Sequence, residues 1–372
     1  MKVVSVMTTE SPAGGAEFAA VEMLDALIDR GHETVMLTNQ PGLGRDRRVR
    51  VVDVDLGPKL SLRTYVRLLA STPSLLRQLR RALEREWPYD VLLVHYKKEQ
   101  LIAPLLPKRL RPRIVWAEWG PVPFPLRRGI ARRLYVAASA RASAILAVSE
   151  GTRASVMDVG VDAGKVIVVP NVMRADEIVY SEAGRERIRR ALGIGTEDFV
   201  VGCISRFHPK KRNEVVVEAV LRLDDPRVHL ILAGSGETEQ ALRRLAEPLG
   251  DRFHIVAPPG ADVADVASAF DVAVFCPSPT EGMPRAVILG MLAERPCIST
   301  GAEGVADLIS PEFGAITSPE NDAAALTRAL QPYVADPDRV RREGKLARES
   351  AEATFAAPVV AQRLEQILRP DS

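Results

Sequence analysis

The sequence predicts an α/β protein built of two doubly wound domains, each with a mostly parallel sheet covered by helices. The chain has 372 residues, which exceeds the roughly 250–300 residues that one hydrophobic core usually serves. Short continuous apolar runs, typical of buried parallel strands, alternate with longer segments of helical period. A polar, charge-dense stretch at Ala175–Asp198 separates an early series of apolar runs from a later one. These three observations together predict two Rossmann-like domains.

The first forty residues or so indicate a βαβ unit. The strand KVVSVM is followed by a glycine turn, the amphipathic helix EFAAVEMLDALIDRG and the second strand ETVMLTN. Further apolar runs continue the series at Asp90–Tyr96, Arg113–Trp119, Ala144–Ser149 and Lys165–Asn171. We expect all of these runs to be buried strands of one sheet.

A second series of strands begins after the polar stretch. Its members are Phe199–Ser205, Val228–Gly234, Phe253–Pro258, Asp271–Ser278, Pro296–Thr300 and Gly314–Ser318. The boundary is expected near Asn171–Asp176, so that the domains are residues 1–172 and 173–351. The tail is helical by period from about Asp336 to Ile367, with Pro358 expected to break it.

Composition excludes several classes of protein. The 50 Lys+Arg and 48 Asp+Glu leave a formal charge of +2, and the 47% hydrophobic and 26% charged residues are typical of globular proteins. A disordered tail and a nucleic-acid-coating protein are therefore excluded, and no nucleic acid is expected as a partner. Three scattered cysteines are too few for a disulfide framework or a Cys-rich zinc site and fit a reducing cytoplasm.

The apolar segments are too short for membrane insertion. The N-terminus lacks the apolar core of a signal peptide, and no run approaches the ~18 apolar residues that a membrane-spanning helix needs. We therefore expect a cytoplasmic protein that is soluble or lies against the inner face of a membrane.

The loop after the first strand contains Gly14-Gly15. Ligands bind doubly wound domains at the carboxyl ends of the strands. Adjacent glycines there allow a close backbone approach and expose N–H groups to an anion or a sugar hydroxyl. A turn that only requires positive φ explains the pair equally well. The loop is not GxGxxG, and Thr38-Asn39 stand where an acid would be needed, so a nicotinamide dehydrogenase is disfavoured.

The loop that follows the first strand of the second domain is strongly cationic. Ser205–Arg212 contains four permanent cations and one histidine in eight residues. Arg206 can bind a phosphate bidentately and Lys211 can act as a point charge, which together would neutralise a diphosphate without a metal. A solvated basic loop is the alternative. The nearby turn Gly234–Gly236 is a weaker indication of close backbone approach.

A carboxylate precedes the helix that begins near Arg285. In Glu281-Gly282-Met283-Pro284, the carboxylate can accept hydrogen bonds from sugar hydroxyls, and the backbone N–H groups of the helix start can bind a phosphate. Simple capping of the helix by Thr280 or Glu281 is the alternative.

In these features the chain resembles the retaining glycosyltransferases of family 4, which have the GT-B fold, two Rossmann-like domains facing across a cleft. The resemblance covers nearly the whole chain. The matching motifs are Gly14–Glu17, Arg30–Glu33, Asp90–His95, Ala147–Ser149, Val169–Asn171, Arg206 with Lys211, Gly234 with Gly236, and Pro277–Pro284.

The resemblance implies a role for each domain. The C-terminal domain would bind a nucleoside-diphosphate sugar, with Arg206 and Lys211 on the diphosphate and Glu281 on the sugar hydroxyls. The N-terminal domain would bind the acceptor, and the C-terminal helix, about residues 352–372, would cross back to join it. No metal and no cofactor are expected, because the nucleotide sugar is a co-substrate.

The resemblance also implies the site residues. The expected catalytic residues are Arg206, Lys211, Glu281 and His95. The expected donor-binding residues are Gly14, Gly15, Ser205, Gly234, Gly282, Met283 and Pro284. The expected acceptor-binding residues are Glu118 and Trp119.

Two positions depart from the family pattern. The glutamate that usually binds the ribose, eight residues after the first, is Leu289 here. The lost hydrogen bond would cost on the order of 1–3 kcal/mol unless a neighbour such as Glu294 compensates. The family commonly has a cleft histidine where this chain has Trp119. Glu118, His95 and the donor's own phosphate are the alternatives for its role.

Basic residues are concentrated in the expected acceptor domain. Pro107–Arg153 contains ten Lys or Arg and two acids, and Leu60–Leu83 adds a cationic amphipathic segment. Such a face favours anionic lipid headgroups or a charged acceptor. A solvated surface that is balanced by acids elsewhere is the alternative.

We therefore expect a retaining glycosyltransferase that moves a sugar from a nucleoside-diphosphate sugar to an acceptor. The acceptor would be a small molecule in natural-product (antibiotic) biosynthesis or a lipid-linked cell-envelope glycoconjugate. The alternative is a degenerate GT-B protein that binds a sugar nucleotide or a partner without catalysis. Peripheral membrane contact and a homodimer are both compatible with the sequence.

Overall fold

A computed structural model describes residues 1–9, 14–40, 42–44, 46–57, 65–257, 262–278, 281–302, 304–317 and 322–369. Thr280 and the beginning of the Leu60–Leu83 segment lie outside these ranges, and within that segment side chains are described from Thr72 onward. The chain divides into two units, Met1–Met173 with Ala357–Ser372, and Arg174–Ala356. Each unit is a doubly wound α/β domain with a parallel sheet, so the predicted fold class is confirmed.

The first unit contains a seven-stranded parallel sheet in the order β3-β2-β1-β4-β5-β6-β7. Its strands are β1 (Lys2–Val6), β2 (Glu33–Thr38), β3 (Arg50–Asp53), β4 (Val91–Val94), β5 (Ile114–Glu118), β6 (Ala144–Ala147) and β7 (Val166–Val168). Its helices up to β7 are α1 (Gly15–Asp29), α2 (Tyr65–Glu86), α3 (Lys97–Ile102), α4 (Gly129–Ser139) and α5 (Glu150–Asp158). The strand order reverses between β1 and β4, and a crevice for ligands forms beyond the carboxyl ends of the strands at such a switch point.

The second unit contains a six-stranded parallel sheet in the order β10-β9-β8-β11-β12-β13. Its strands are β8 (Phe199–Ile204), β9 (Val228–Ala233), β10 (Phe253–Val256), β11 (Val272–Phe275), β12 (Cys297–Thr300) and β13 (Gly314–Thr317). Its helices are α6 (Glu182–Ala191), α7 (Asn213–Leu223), α8 (Glu239–Leu245), α9 (Val263–Ser268), α10 (Arg285–Leu292), α11 (Ala323–Ala335) and α12 (Pro337–Phe355). The switch point lies between β8 and β11, where the cationic loop and the Glu281 loop begin.

The charge-dense stretch between the two strand series is part of the second unit. It contains α6, whose Arg185 donates to the backbone carbonyls of Ser268 and Phe270 and to Asp271 Oδ1 at 2.6 Å. Arg189 of the same helix is buried and contacts Asp271 Oδ2 at 3.4 Å. The charges of this stretch therefore attach α6 to the start of β11.

The C-terminal helix α13 (Ala357–Leu368) belongs to the first unit, although α12 before it belongs to the second. It packs on α1 through an apolar face that includes Val360 and Leu364. Arg30, just after α1, forms an ion pair with Glu365 at 2.5 Å. The helical tail is interrupted at Ala356, with Pro358 in the first turn of α13, where a proline costs no hydrogen bond.

Within the described ranges, the helices are all too short or too polar to span a lipid bilayer.

Candidate functional site

The cationic loop is held at the carboxyl edge of the second sheet by backbone hydrogen bonds to the loop after β9. Ser205 N donates to Ala233 O at 3.1 Å, and Phe207 N donates to Ser235 O at 2.8 Å. The Phe207 side chain is buried beneath the loop, whereas Arg206 is exposed. The buried Phe207 side chain therefore anchors the loop, and the exposed Arg206 guanidinium is accessible to an anion.

The glycines of the loop after β9 permit this close contact between loops. A Cβ on Gly234 would lie 1.9 Å from Ser205 O, and a Cβ on Gly236 would lie 2.4 Å from Phe207 O. Any larger residue would push the cationic loop away. The expected role of Gly234 in donor binding stays a prediction, and the structure gives the glycine a positioning role beside the cationic loop.

The structure brings Lys211 and Glu281 together. Lys211 ends a short 3-10 turn, Pro209–Lys211, and its Nζ lies 2.8 Å from Glu281 Oε1. The ammonium also lies 5.2 Å from the centroid of the Phe275 ring. Both charged side chains are half-buried, which strengthens the attraction relative to an exposed pair. The predicted diphosphate cation and the predicted sugar-binding carboxylate are thus direct neighbours.

Backbone hydrogen bonds to two neighbouring loops hold the Glu281 loop in place. Ser278 N donates to Lys210 O at 2.8 Å, and Glu281 N donates to Ser278 O at 3.1 Å. Gly304, in the loop after β12, donates through its N–H to Glu281 O at 3.3 Å. A Cβ on Gly304 would lie 1.4 Å from Gly282 O. Sequence reasoning missed Gly304, although a glycine shortly after a strand end was a usable indication of close packing.

The residues Gly282, Met283 and Pro284 are buried and lead directly into α10. Pro284 is the N-cap residue, and it provides no side-chain hydrogen bond to the helix. The start of α10 therefore presents the positive end of the helix dipole beside Glu281 and Lys211. This end of the helix suits a phosphate group.

Ser205 is paired with a residue that the sequence analysis missed. Its Oγ lies 2.8 Å from Oδ1 of Asn213, the first residue of α7, which is buried. The Cys203 Sγ lies 3.6 Å from the same oxygen. Asn213 thereby fixes the Ser205 hydroxyl at the end of β8. The only sequence feature that indicated a role for Asn213 was its position immediately after the run of basic residues.

The position where the family has a ribose-binding glutamate lies on α10 and is occupied by Leu289. Leu289 is half-buried on this helix. Glu294 follows the C-terminal end of α10 with a φ of 58°. Its carbonyl faces α12, where a Cβ on Gly344 would lie 2.0 Å away. Glu294 therefore lies at the end of α10 opposite to Glu281 and is badly placed to compensate for Leu289.

In the first unit, His95 is held between two neighbours. Its Nε2 lies 2.7 Å from Ser5 Oγ, and Trp119 Nε1 donates to its Nδ1 at 3.1 Å. Because an indole N–H can only donate, Nδ1 is unprotonated and Nε2–H donates to Ser5. Burial lowers the pKa of His95 to about 3, so the ring is neutral at physiological pH. The catalytic role of His95 stays a prediction, and this geometry favours a positioning role for Trp119.

Glu118 forms a buried ionic cluster with Lys97 and Tyr135. Lys97 Nζ forms an ion pair with Glu118 Oε2, and the Tyr135 hydroxyl donates to Oε1 at 2.8 Å. Burial lowers the pKa of Lys97 and raises that of Tyr135. Both carboxylate oxygens are thus engaged by protein groups. Acceptor binding by Glu118 and by the half-buried Trp119 stays a prediction.

The Gly14-Gly15 loop leads into a capped helix. Glu17 Oε2 accepts a hydrogen bond from Gly14 N at 3.0 Å, and Glu17 Oε1 accepts one from the Tyr96 hydroxyl. The start of α1 is therefore fastened to the end of β4 at the switch point. The sequence analysis included Glu17 in a matching motif without giving it a role and missed Tyr96, although a glutamate three residues after the cap is a recognisable capping-box pattern.

A second buried carboxylate lies at the same edge. Glu99 Oε1 accepts hydrogen bonds from Thr8 N at 3.2 Å and from Thr8 Oγ1 at 2.7 Å. Glu99 Oε2 is buried, and none of the residues that the structure describes forms a hydrogen bond with it. Burial raises the pKa of Glu99. Sequence reasoning missed this residue, because a charged KKEQ segment reads as a solvated turn.

Among the described residues, no group of three or more His, Cys, Asp or Glu side chains is arranged to hold a metal ion. The predicted absence of a metal requirement is a separate question and stays a prediction.

Comparison with known proteins shows that the chain is similar to glycosyltransferases over most of its length. Residues 13–177 match the model of Glycosyltransferase Family 4, and residues 198–336 match that of Glycosyl transferases group 1. The chain is 26% identical over 385 residues to the 2-deoxystreptamine N-acetyl-D-glucosaminyltransferase of Streptomyces fradiae, covering 95% of this chain and 90% of that protein. It is 25% identical over 358 residues to the D-inositol 3-phosphate glycosyltransferase of Geodermatophilus obscurus, covering 87% and 78%.

Other matches are shorter or structural. The match to EpsD of Bacillus subtilis, 28% identical over 170 residues, spans only 45% of this chain and 44% of that protein. The structure of Anabaena Alr3699/HepE in complex with UDP superposes with a TM-score of 0.84 at 19% identity, covering 99% of both chains. At that identity the likeness establishes the fold, which is the GT-B arrangement of two Rossmann-like domains.

Proposed function

Because the chain belongs to the family 4-like glycosyltransferases, we propose that it transfers a sugar from a nucleoside-diphosphate sugar to an acceptor hydroxyl with retention of anomeric configuration. The observation that carries this proposal is the contact between Lys211 Nζ and Glu281 Oε1 at 2.8 Å, beside the start of α10. A diphosphate needs a cation and the adjacent sugar needs a hydrogen-bond acceptor, and this edge of the second sheet offers both. The structural neighbour that binds UDP supports the same class of donor.

The leaving diphosphate is stabilised by charges that are already in place. Arg206 and Lys211 supply two cations, and the start of α10 supplies a positive dipole end. As the glycosidic bond to the donor breaks, negative charge grows on the departing phosphate, and preorganised positive groups stabilise that charge. Glu281 accepts a hydrogen bond from a sugar hydroxyl and so fixes the sugar beside the diphosphate.

Retention is explained if the base that takes the acceptor proton lies on the same face of the sugar as the leaving phosphate. His95 is neutral with both ring nitrogens hydrogen-bonded, and Glu118 is paired through both oxygens. We assign the base to an oxygen of the donor's own phosphate. The acceptor oxygen then bonds to the anomeric carbon while the bond from that carbon to the phosphate oxygen breaks. The proton passes to the phosphate on the same face of the sugar, which retains the configuration.

The acceptor proposed here is a polyhydroxylated ring. Two relatives that align over most of the chain are named for a cyclitol, 2-deoxystreptamine in one and D-inositol 3-phosphate in the other. The acceptor domain is the first unit, in which buried polar groups surround the switch point at the ends of β1 and β4. We propose that transfer needs no metal, since two cations can balance the charge of a diphosphate. An assay in excess EDTA tests this point.

A transfer assay tests the proposed function directly. The purified protein is incubated with UDP-, GDP- or ADP-linked glucose or N-acetylglucosamine and with myo-inositol, its phosphate or 2-deoxystreptamine. Product mass reports transfer, and the one-bond carbon–proton coupling at the anomeric centre reports configuration. An α-linked product from an α-linked donor is expected. A β-linked product would contradict retention, and nucleotide binding without turnover of any donor would favour the non-catalytic alternative.

A further inference from the structure

Helix α4 has two apolar faces, and the described part of the first unit covers only one of them. Tyr135 and Ser139 lie on the buried face. The opposite face presents Ile130, Leu134 and Ala137, spaced so that they form one stripe along the helix. Ile130 is 75% exposed and Leu134 is 50% exposed. Large aliphatic side chains with this spacing form a patch rather than isolated surface residues.

The patch extends beyond the helix. Phe124 begins the 3-10 turn Phe124–Arg127 just before α4 and is 67% exposed. The Arg128 guanidinium lies 5.4 Å from the centroid of its ring, which places Phe124 beside the N-terminus of α4. We call Phe124, Ile130, Leu134 and Ala137 the α4 stripe.

The segment of chain that carries the α4 stripe contains charges of one sign. Trp119–Ser149 contains five arginines and no aspartate or glutamate. Arg127 and Arg132 donate to the backbone carbonyls of Val122 and Val159. Among the described residues, none of the four arginines at 127, 128, 132 and 133 has a carboxylate within ion-pair distance.

We propose that the α4 stripe and its arginines form a docking surface for an anionic lipid bilayer. The apolar side chains would enter the interface between headgroups and acyl chains, and the arginines would bind lipid phosphates. Charge complementarity selects this occupant, because four arginines that have no carboxylate partner among the described residues favour an anionic surface, and three large exposed apolar side chains favour an apolar layer beside it. A bilayer with anionic headgroups supplies both in adjacent layers.

This surface narrows the acceptor class. Because α4 belongs to the unit to which we assign the acceptor, a bilayer docked there favours a polyhydroxylated ring that is carried by a membrane lipid. That consequence rests on the proposed function. The docking surface itself does not rest on the proposed function, because vesicle binding is measured without donor or acceptor. A failure to bind vesicles would leave the proposed sugar transfer unaffected.

Vesicle co-sedimentation tests the surface. The full chain is mixed with vesicles of phosphatidylcholine alone or of phosphatidylcholine and phosphatidylglycerol at three to one. We expect it to pellet with the anionic vesicles and to stay in the supernatant with the neutral ones. Ile130→Ser with Leu134→Ser is expected to reduce binding at least tenfold, because the apolar contribution is lost.

Matched variants separate this surface from the rest of the chain. Arg128→Gln with Arg133→Gln is expected to weaken binding at least tenfold at low salt. Leu346→Ser with Val359→Ser removes side chains that are 43% and 45% exposed on other helices and is expected to leave binding unchanged. Circular dichroism establishes that each variant is folded.

Three results would overturn the proposal. The first is an absence of anionic vesicle binding by the wild-type chain. The second is binding that the Ile130 and Leu134 substitutions leave intact, which would locate the membrane contact elsewhere. The third is a dimer in sedimentation velocity that the same substitutions convert to a monomer, which would assign the α4 stripe to a second copy of the chain.

Discussion

Lys211 Nζ lies 2.8 Å from Glu281 Oε1, which joins the loop after β8 to the loop before α10 across 70 residues of sequence. The two side chains restrain each other at the carboxyl edge of the second sheet. An arriving diphosphate would share the lysine, and the sugar attached to it would then lie next to the glutamate. The ion pair thus prepares both partners for one ligand.

Removal of either member of this pair should greatly reduce transfer. We expect Lys211→Ala and Glu281→Ala each to lower kcat/KM by about 10²–10³-fold, because each removes a group preorganised for the reacting centre. The double variant should lose less than the product of the single losses, since the residues act as a unit. Steady-state kinetics with a fixed acceptor measures all three.

The control for that experiment is a second ion pair of equal length. Arg243 and Glu239 lie 2.8 Å apart on the exposed surface of α8. Arg243→Ala is expected to change kcat/KM by less than about twofold, as surface pairs contribute little. Equal losses in Arg243→Ala and Lys211→Ala would show that general destabilisation, rather than the site, accounts for the effect.

A glutamate at position 289 should restore the ribose contact that the family pattern contains. Leu289→Glu is expected to tighten nucleoside diphosphate binding by about 10–150-fold, the equivalent of a charged hydrogen bond of about 1.5–3 kcal/mol. Isothermal titration calorimetry measures the gain. A 2′,3′-dideoxynucleoside diphosphate is the matched ligand, and it should bind wild type and variant alike. An equal gain for both ligands would contradict a ribose contact.

The Glu118 cluster should be a major determinant of the stability of the first unit. Glu118→Gln leaves Lys97 buried without a counter-ion and is expected to lower the free energy of unfolding by about 3–5 kcal/mol. Glu150→Gln, which breaks an exposed pair with Arg153, should cost less than about 0.5 kcal/mol. Urea denaturation followed by circular dichroism compares the two. A small loss in Glu118→Gln would mean that Lys97 finds another partner.

His95 should make stability depend on pH in a defined direction. Burial lowers its pKa from 6.5 to about 3, so between those values the unfolded chain binds a proton that the folded chain does not. The stabilisation is complete above about pH 6.5 and is lost as the pH falls toward 3.

Substitution of His95 isolates this contribution. His229 and His254, whose pKa values are also lowered by burial, contribute equally to both proteins, so the free energies of wild type and His95→Asn are subtracted at each pH. The difference should shrink from pH 7.5 to pH 5. A difference that is constant with pH would contradict a neutral, buried His95.

The fold was predictable from sequence because its strands are continuous apolar runs at regular intervals. Val3, Val4 and Val6 are fully buried in β1, as such a run predicts. The interruption of the helical tail was less accurately predicted, since it falls at Ala356 rather than at Pro358. A proline is accommodated in the first turn of a helix and interrupts the chain just before itself.

The roles of Lys211 and Glu281 in donor binding stay predictions, but their place at the carboxyl edge of the second sheet was predictable, because charge and strand ends coincide there. The supporting residues were not. Gly304 acts through the packing of its loop on Gly282, and Asn213 acts through a side-chain hydrogen bond to Ser205, so their positions along the chain were only weak indications of these contacts. The buried Glu99 was hidden for a different reason, because a charged residue after a strand is usually solvated and only tertiary packing buries it.

The central claim is that the second unit binds a nucleoside diphosphate through Lys211, and one calorimetric titration tests it most directly. Wild type, Lys211→Ala and Arg243→Ala are each titrated with UDP, GDP and ADP. The account predicts that at least one nucleotide binds wild type and Arg243→Ala with the same submillimolar Kd and binds Lys211→Ala at least tenfold more weakly. Failure of all three nucleotides to bind at millimolar concentration, or equal binding by Lys211→Ala, would contradict it.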